Sequence, residues 1–439
     1  MRRKITDDLI KWKANPKKHP LLVTGARQVG KTYTIEDFAL KNYDSYIYMN
    51  FEKSPSLKGI FDGDLDIETL VMKITARFVD VKIIPGRTIL VLDEIQSCPN
   101  ARTALKSFSG DQRFDVIATG SLLGLNHSKV SLYPTGYEEY LVMRTLDFEE
   151  FLWAIGADEG LIFSVSGKLN RKEPLDQFIL ETFEEYYRRY MAVGGMPEVV
   201  DDFTVHKDFG RVRAIQEKII RSYEDDISKY AERTAKTRAR ECLHSVPDQI
   251  GRRFRYSEIG GVHGARRSLY DSGIEWLIGA GVVFKSYKIT EPARPLTYNR
   301  NMNLFKLFVH DVGLLVAMTE KETASMLLEG NQLVNGGKIA ENATACEIIR
   351  KRIEPMYFGD KDLEVDFVTA IGSDVVMIEV KSGNNKTSKS LDSVMSRSKG
   401  HMRGIKLERT NILIDRDGVE HYPLFAAAFI FPDDSGYKL

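Results

Sequence analysis

No feature constrains this chain more than the run Gly25-Ala26-Arg27-Gln28-Val29-Gly30-Lys31-Thr32. It fits G-x-x-x-x-G-K-[ST], follows an apolar stretch from Leu21 to Thr24 and opens an expected helix from Lys31 to Leu40. Two glycines let backbone N–H groups wrap a polyphosphate, and the helix N-terminus adds its partial positive charge. In that geometry Lys31 reaches the terminal phosphates of ATP and Thr32 holds Mg²⁺. Gly25, Ala26, Arg27, Gln28, Val29, Gly30 and Tyr33 complete the expected nucleotide-binding segment. A plain glycine turn is the alternative, and the strand before and helix after the loop argue against it.

A second element belongs with the first. Thr88-Ile89-Leu90-Val91-Leu92-Asp93-Glu94 is an apolar strand ending in two carboxylates. Asp93 is the expected Mg²⁺ ligand, and Glu94 the group that polarises the attacking water. Acids after a strand also serve as helix caps or solvated loops, so this reading leans on the upstream loop. A third strand ends at Thr119-Gly120-Ser121, where Thr119 is positioned to sense the γ-phosphate, though a plain turn explains the same tripeptide. Short apolar runs at Pro20 to Thr24, Tyr46 to Asn50, Thr88 to Leu92 and Phe114 to Thr119, separated by helical stretches, predict a parallel sheet.

At 439 residues the chain is long enough for two to four domains. Its 62 basic and 62 acidic side chains cancel, so any preference for nucleic acid is local. The one basic region runs from His206 to Arg267, with 15 Lys/Arg against 9 Asp/Glu. No apolar run reaches the roughly 20 residues of a membrane span; Leu304 to Met318 is broken by Lys306, His310 and Asp311. The start, Met1-Arg2-Arg3-Lys4, leads into Asp7, Asp8 and Lys11 rather than an apolar signal core. Cys98, Cys242 and Cys346 form neither a CxxC pair nor a disulfide framework. A cytoplasmic, reducing location is expected, with no membrane contact.

From Phe148 to about Tyr230 the apolar spacing is helical, interrupted at Gly194-Gly195-Met196-Pro197. Two short helices from Ser257 to Leu277 and a strand from Val282 to Ile289 have the order of a winged helix. Arg252, Arg253, Arg255, Arg266 and Arg267 there could contact the phosphates of double-stranded DNA, or form a solvated face or a protein-binding module. Thr319 to Lys338 reads as a linker or lid. A helix from about Ile339 and strands at Met356 to Phe358, Glu364 to Ala370 and Val375 to Val380 then suggest a small mixed unit.

That last unit carries Glu341 on its helix, Asp366 on one strand, and Glu379 with Lys381 two residues apart at the end of the next. Side chains repeat with period two along a strand, so Glu379 and Lys381 share a face. The arrangement resembles the PD-(D/E)xK nuclease-like fold. The resemblance implies Mg²⁺ held by Glu341, Asp366 and Glu379, with Glu379 and Lys381 in catalytic roles. Glu-Val-Lys at a strand end also makes ordinary surface ion pairs.

Leu22 to Thr32, Leu90 to Gln96, Ala118 to Leu122, Leu146 to Leu152 and Gly194 to Val199 resemble, in order, blocks of prokaryotic AAA-type ATPases that carry a poorly characterised C-terminal domain. The resemblance spans nearly the whole chain. It implies an AAA+ core, MgATP hydrolysis and a homo-oligomer, with Lys31, Thr32, Asp93 and Glu94 in the Walker positions and Thr119 or Ser121 at the sensor. Relatives often carry a basic residue where this chain has Tyr137; Arg102 and Arg144 are the available substitutes for a residue acting in trans. The expected class is α/β: a P-loop parallel-sheet core over residues 1–147, a helical lid over 148–245, a winged-helix module over 246–325 and a nuclease-like α/β domain over 326–439. Nucleotide state is expected to move these C-terminal parts, with DNA as one candidate target; the rival is a slow nucleotide-dependent switch or scaffold that binds a protein partner, with an inactive nuclease-like domain.

Overall fold

The computed structural model describes residues 1–121, 136–230, 233–261, 266–330, 336–360, 363–383, 389–397 and 402–432. The chain divides into two compact units, one built chiefly from Arg3–Arg144 and the other chiefly from Thr145–Ile278 and the residues from Val282 onward.

The first unit is a five-stranded sheet of β1 (Leu21–Thr24), β2 (Ser45–Asn50), β3 (Thr88–Asp93), β4 (Asp115–Gly120) and β5 (Glu139–Val142) in the order β2-β3-β4-β1-β5. Every pairing is parallel. Alternation along β3 explains its unbroken apolar run: Leu90 and Leu92 pack into one core with Met49, Phe51 and Leu105, whereas Ile89 and Val91 pack into another with Trp12, Val23 and Phe38. With helices on both faces, no side chain of the strand meets water. The order places β1 between β4 and β5, so the loop after β1 opens beside the carboxyl ends of β3 and β4, where open parallel sheets hold ligands.

The second unit begins with helices Phe148–Ala154, Glu159–Arg171, Gln177–Val193, Pro197–His206, Phe209–Tyr230, Arg233–Gln249 and Arg267–Gly279. An eight-stranded mixed sheet follows: β6 (Val283–Ile289), β7 (Arg300–Val309), β8 (Met356–Asp360), β9 (Leu363–Ile371), β10 (Asp374–Lys381), β11 (Met402–Glu408), β12 (Leu413–Ile414) and β13 (Glu420–Pro423), in the order β12-β13-β11-β10-β9-β8-β6-β7. The strand expected at Val282 to Ile289 forms, but the hairpin β6–β7 is not a free wing, because β6 also pairs in parallel with β8. Of the winged-helix residues, 262–265 lie outside those described, as do 331–335 of the expected linker, where Thr323–Leu328 is helical. Helix Gly336–Arg350, β8, β9, β10, helix Lys389–Arg397 and β11 succeed one another, with β10 antiparallel to β9 and parallel to β11.

The Gly194-Gly195 break has a steric cause. A Cβ on Gly194 would lie 2.2 Å from Asp311 Oδ1, and one on Gly195 would lie 2.0 Å from the Leu146 carbonyl oxygen. The Gly195 N–H donates to Asp311 Oδ2 at 2.8 Å, and Leu314 N–H donates to Asp311 Oδ1 at 3.1 Å, so one buried carboxylate caps helix Val312–Ala317 and holds the turn.

Candidate nucleotide site and the C-terminal cluster

The loop after β1 takes backbone angles that its sequence permits: Gly25, Gln28 and Gly30 all have positive φ, at 147°, 64° and 92°. A Cβ on Gly25 would sit 2.1 Å from the Met143 carbonyl oxygen, so only glycine fits there. Gly30 leads into helix Lys31–Asn42, whose first turn contains Lys31, Thr32 and Tyr33. Tyr33 is 64% exposed. Lys31 is folded back into the loop, with Nζ donating to the carbonyls of Gly25 at 3.0 Å and Ala26 at 2.8 Å. Burial pushes its pKa down to about 8, against the opposing pull of Glu94 and Asp93.

Asp93, at the buried end of β3, gathers donors from both neighbouring strands. Register brings Asn50 opposite it, and Asn50 Nδ2 donates to Oδ2 at 3.0 Å. Tyr48, two residues earlier on β2, donates its hydroxyl to the same oxygen at 2.6 Å, and Thr32 Oγ1 does so at 3.1 Å. Thr119, from β4, donates to Oδ1. The Thr32 hydroxyl and the Asp93 carboxylate thus lie together as the oxygen donors a hard divalent cation prefers. Glu94 follows in the left-handed region at φ 56°, and Gln96 Nε2 donates to its Oε2. Burial raises the Glu94 carboxyl, partly opposed by Gln96 and Lys31, which is the direction a proton-accepting group near neutral pH needs.

The sequence reading singled out Lys31, Thr32, Asp93, Glu94 and Thr119, which the fold brings together; it missed Tyr48 and Asn50. Neither belongs to a recognisable pattern, and only the β2–β3 register places them. Arg102 is 4% exposed and paired with Glu138 at 2.8 Å, which rules it out as an exposed residue acting in trans. A cation does stand near the position lacking a basic residue: Lys106 Nζ lies 5.2 Å from the Tyr137 ring centroid.

Residues 17–152 match the family profile of an AAA domain. This part of the chain is similar to an AAA domain and has a parallel-sheet P-loop core. Residues 184–325 and 336–423 match two domains of unknown function, DUF8612 and DUF4143. No curated protein is matched. Among solved structures, a Walker-type ATPase of Pyrococcus abyssi is 13% identical, with 72% of this chain and 95% of that one covered and a TM-score of 0.44. The PCH-2 protein of C. elegans is 11% identical over 47% of this chain and 63% of its own, TM-score 0.28. The ORC1 protein of Aeropyrum pernix, solved in complex with DNA, is 14% identical over 74% and 93%, TM-score 0.26. Likenesses this remote carry no argument about function. Among the described residues, no helix is long and apolar enough to cross a membrane.

In the second unit Glu341, Asp366, Glu379 and Lys381 also draw together, with a partner the sequence reading did not name. Lys306 of β7, with its side chain fully buried, places Nζ 2.9 Å from Glu341 Oε1, 2.7 Å from Glu364 Oε1 and 3.8 Å from Asp366 Oδ1. Burial alone would strip the ammonium of its proton; the carboxylates of Glu341, Asp366 and Glu364 outweigh that and raise its pKa. Asp366 Oδ2 accepts the Val380 N–H at 2.8 Å, and Glu379 pairs with Lys381 at 2.5 Å. Burial raises the carboxyls of Glu341 and Glu379. Among the described residues, no group of three or more His, Cys, Asp or Glu is placed to hold a metal ion.

Proposed function

We propose that the first unit binds MgATP and hydrolyses it, and that the cycle changes the conformation or assembly of the chain. The observation that carries this reading is the meeting of Thr32, Asp93 and Glu94 at the loop, with Thr32 Oγ1 3.1 Å from Asp93 Oδ2. Thr32 and Asp93 would hold Mg²⁺, which neutralises charge on the β- and γ-phosphates when bound. Lys31 swings from its loop carbonyls to the phosphates, Glu94 takes a proton from the attacking water, and Thr119 reports the state of the γ-phosphate through its bond to Asp93. Gly25, Ala26, Arg27, Gln28, Val29 and Gly30 supply the cradle, and exposed Tyr33 is free to lie against the nucleoside.

In this reading residues 1–147 are the motor, 148–245 the helical segment that responds to it, and 246–325 and 326–439 the output. AAA-type sites are commonly completed by a neighbouring copy, so MgATP should favour a homo-oligomer. The basic stretch favours a protein partner over duplex DNA in this reading, because three of the five arginines named for it are offset locally: Arg252 and Arg255 share Glu258 at 2.6 and 3.4 Å, and Arg267 pairs with Asp271 at 3.5 Å.

The test is ATP turnover and particle size, with and without duplex DNA. Lys31→Ala removes a charge-assisted contact of about 1.5–3 kcal/mol, so affinity or turnover should fall at least roughly tenfold. Unchanged hydrolysis would sink the assignment. A particle that stays monomeric in saturating MgATP would remove the oligomer, and DNA that accelerates turnover would restore nucleic acid as the partner.

A further inference from the structure

The order helix, three strands, helix, strand around Glu341, Asp366 and Glu379 is the frame in which carboxylates ordinarily gather on a divalent cation. Here the residues do not fit that role, and the reason is Lys306. Its side chain enters from β7, which lies beyond that frame, two strands away from β8 in the sheet order and joined to it through β6. The ammonium sits 2.9 Å from Glu341 and 3.8 Å from Asp366, with Glu364 closing a third side at 2.7 Å and the Tyr357 ring centroid 5.2 Å away.

One oxygen of Asp366 and one of Glu379 are already held by donors of the chain, the Val380 N–H and Lys381, while Glu379 Oε2 is buried without a hydrogen-bond partner among the described residues. The second oxygen of Glu341 faces backbone: a Cβ added to Gly251 would meet it at 2.6 Å. A Mg²⁺ or Mn²⁺ ion needs oxygens at about 2.0–2.2 Å in near-octahedral array, and it would have to displace a fully buried lysine to obtain them. Three acids without a cation would repel one another, so the cluster requires one, and the chain supplies it.

We propose that Lys306 is the resident cation of the C-terminal cluster, so that this nuclease-like domain binds no divalent metal and works as a binding or coupling module rather than as a metal-dependent phosphodiesterase. The proposal concerns the second unit and is independent of ATP hydrolysis by the first.

The test uses the full chain without nucleotide, titrated with Mn²⁺ and followed by electron paramagnetic resonance and thermal melting. Wild type should take up no ion that Asp366→Asn removes, and any change of its melting temperature between Mn²⁺ and EDTA should persist in Asp366→Asn. Lys306→Met keeps the length and volume but deletes the charge. It should gain roughly one Mn²⁺ per chain and a rise of about 5 °C at saturating ion, both lost when Asp366→Asn is added. A circular-dichroism spectrum and a cooperative melt like those of wild type report that the variant, its second unit included, is folded. A wild-type protein that binds Mn²⁺ in an Asp366-dependent manner would overturn the proposal even if Lys306→Met failed to fold. A folded Lys306→Met protein that binds no Mn²⁺ would overturn the assignment of its ammonium as the cation.

Discussion

Asp93 shows how much a single side chain depends on its neighbours. Tyr48 and Asn50 hold one of its oxygens, so they orient the expected Mg²⁺ ligand. Loss of such outer partners typically costs 10- to 100-fold in metal affinity. Tyr48→Phe should therefore raise the Mg²⁺ concentration for half-maximal turnover about tenfold while leaving the rate at saturating Mg²⁺ within about threefold, as a Mg²⁺ titration would read. A merely structural role would lower the plateau as well. Lys31 sets a pH dependence. In the free loop burial holds it near 8, and it must be charged to face phosphate, so binding takes up a proton above that pH. Affinity for ATP should be flat below about pH 8 and fall about tenfold per unit above it, a slope that Lys31→Ala abolishes. The loop and the acids were legible in sequence because each is a fixed pattern of residue types. Tyr48, Asn50 and Lys306 were not, since what places them is strand register; Lys306 lies 35 positions before Glu341, in a stretch that had drawn notice only as too polar for a membrane.

Among the elements, the parallel strands were readable from their apolar runs: Tyr46 to Asn50 and Thr88 to Leu92 were expected, and Ser45–Asn50 and Thr88–Asp93 form. β7 escaped because Arg300 to Val309 begins in the polar run Arg300-Asn301-Met302-Asn303 and becomes continuously buried only from Phe305. The Gly194-Gly195 break was visible as an interruption, but its cause lies 116 residues downstream in Asp311. Asp311→Ala would leave the Gly195 and Leu314 N–H groups buried without an acceptor, at a cost of at least roughly 2 kcal/mol. The melting temperature should fall by about 4–8 °C, and a variant that melts with wild type would show that the turn is held elsewhere.

For the whole molecule, the neutral charge balance predicted little beyond the absence of a global field, and the one basic stretch proves to be laced with its own acids. The account stands on Glu94 acting as the group that activates water beside a loop that binds MgATP. The most direct measurement is therefore ATP binding and turnover by Glu94→Gln, side by side with the parent. Nucleotide affinity should stay within about threefold, while hydrolysis falls by roughly 10²-fold or more, the usual worth of a positioned base. Hydrolysis by Glu94→Gln at the parental rate would contradict it.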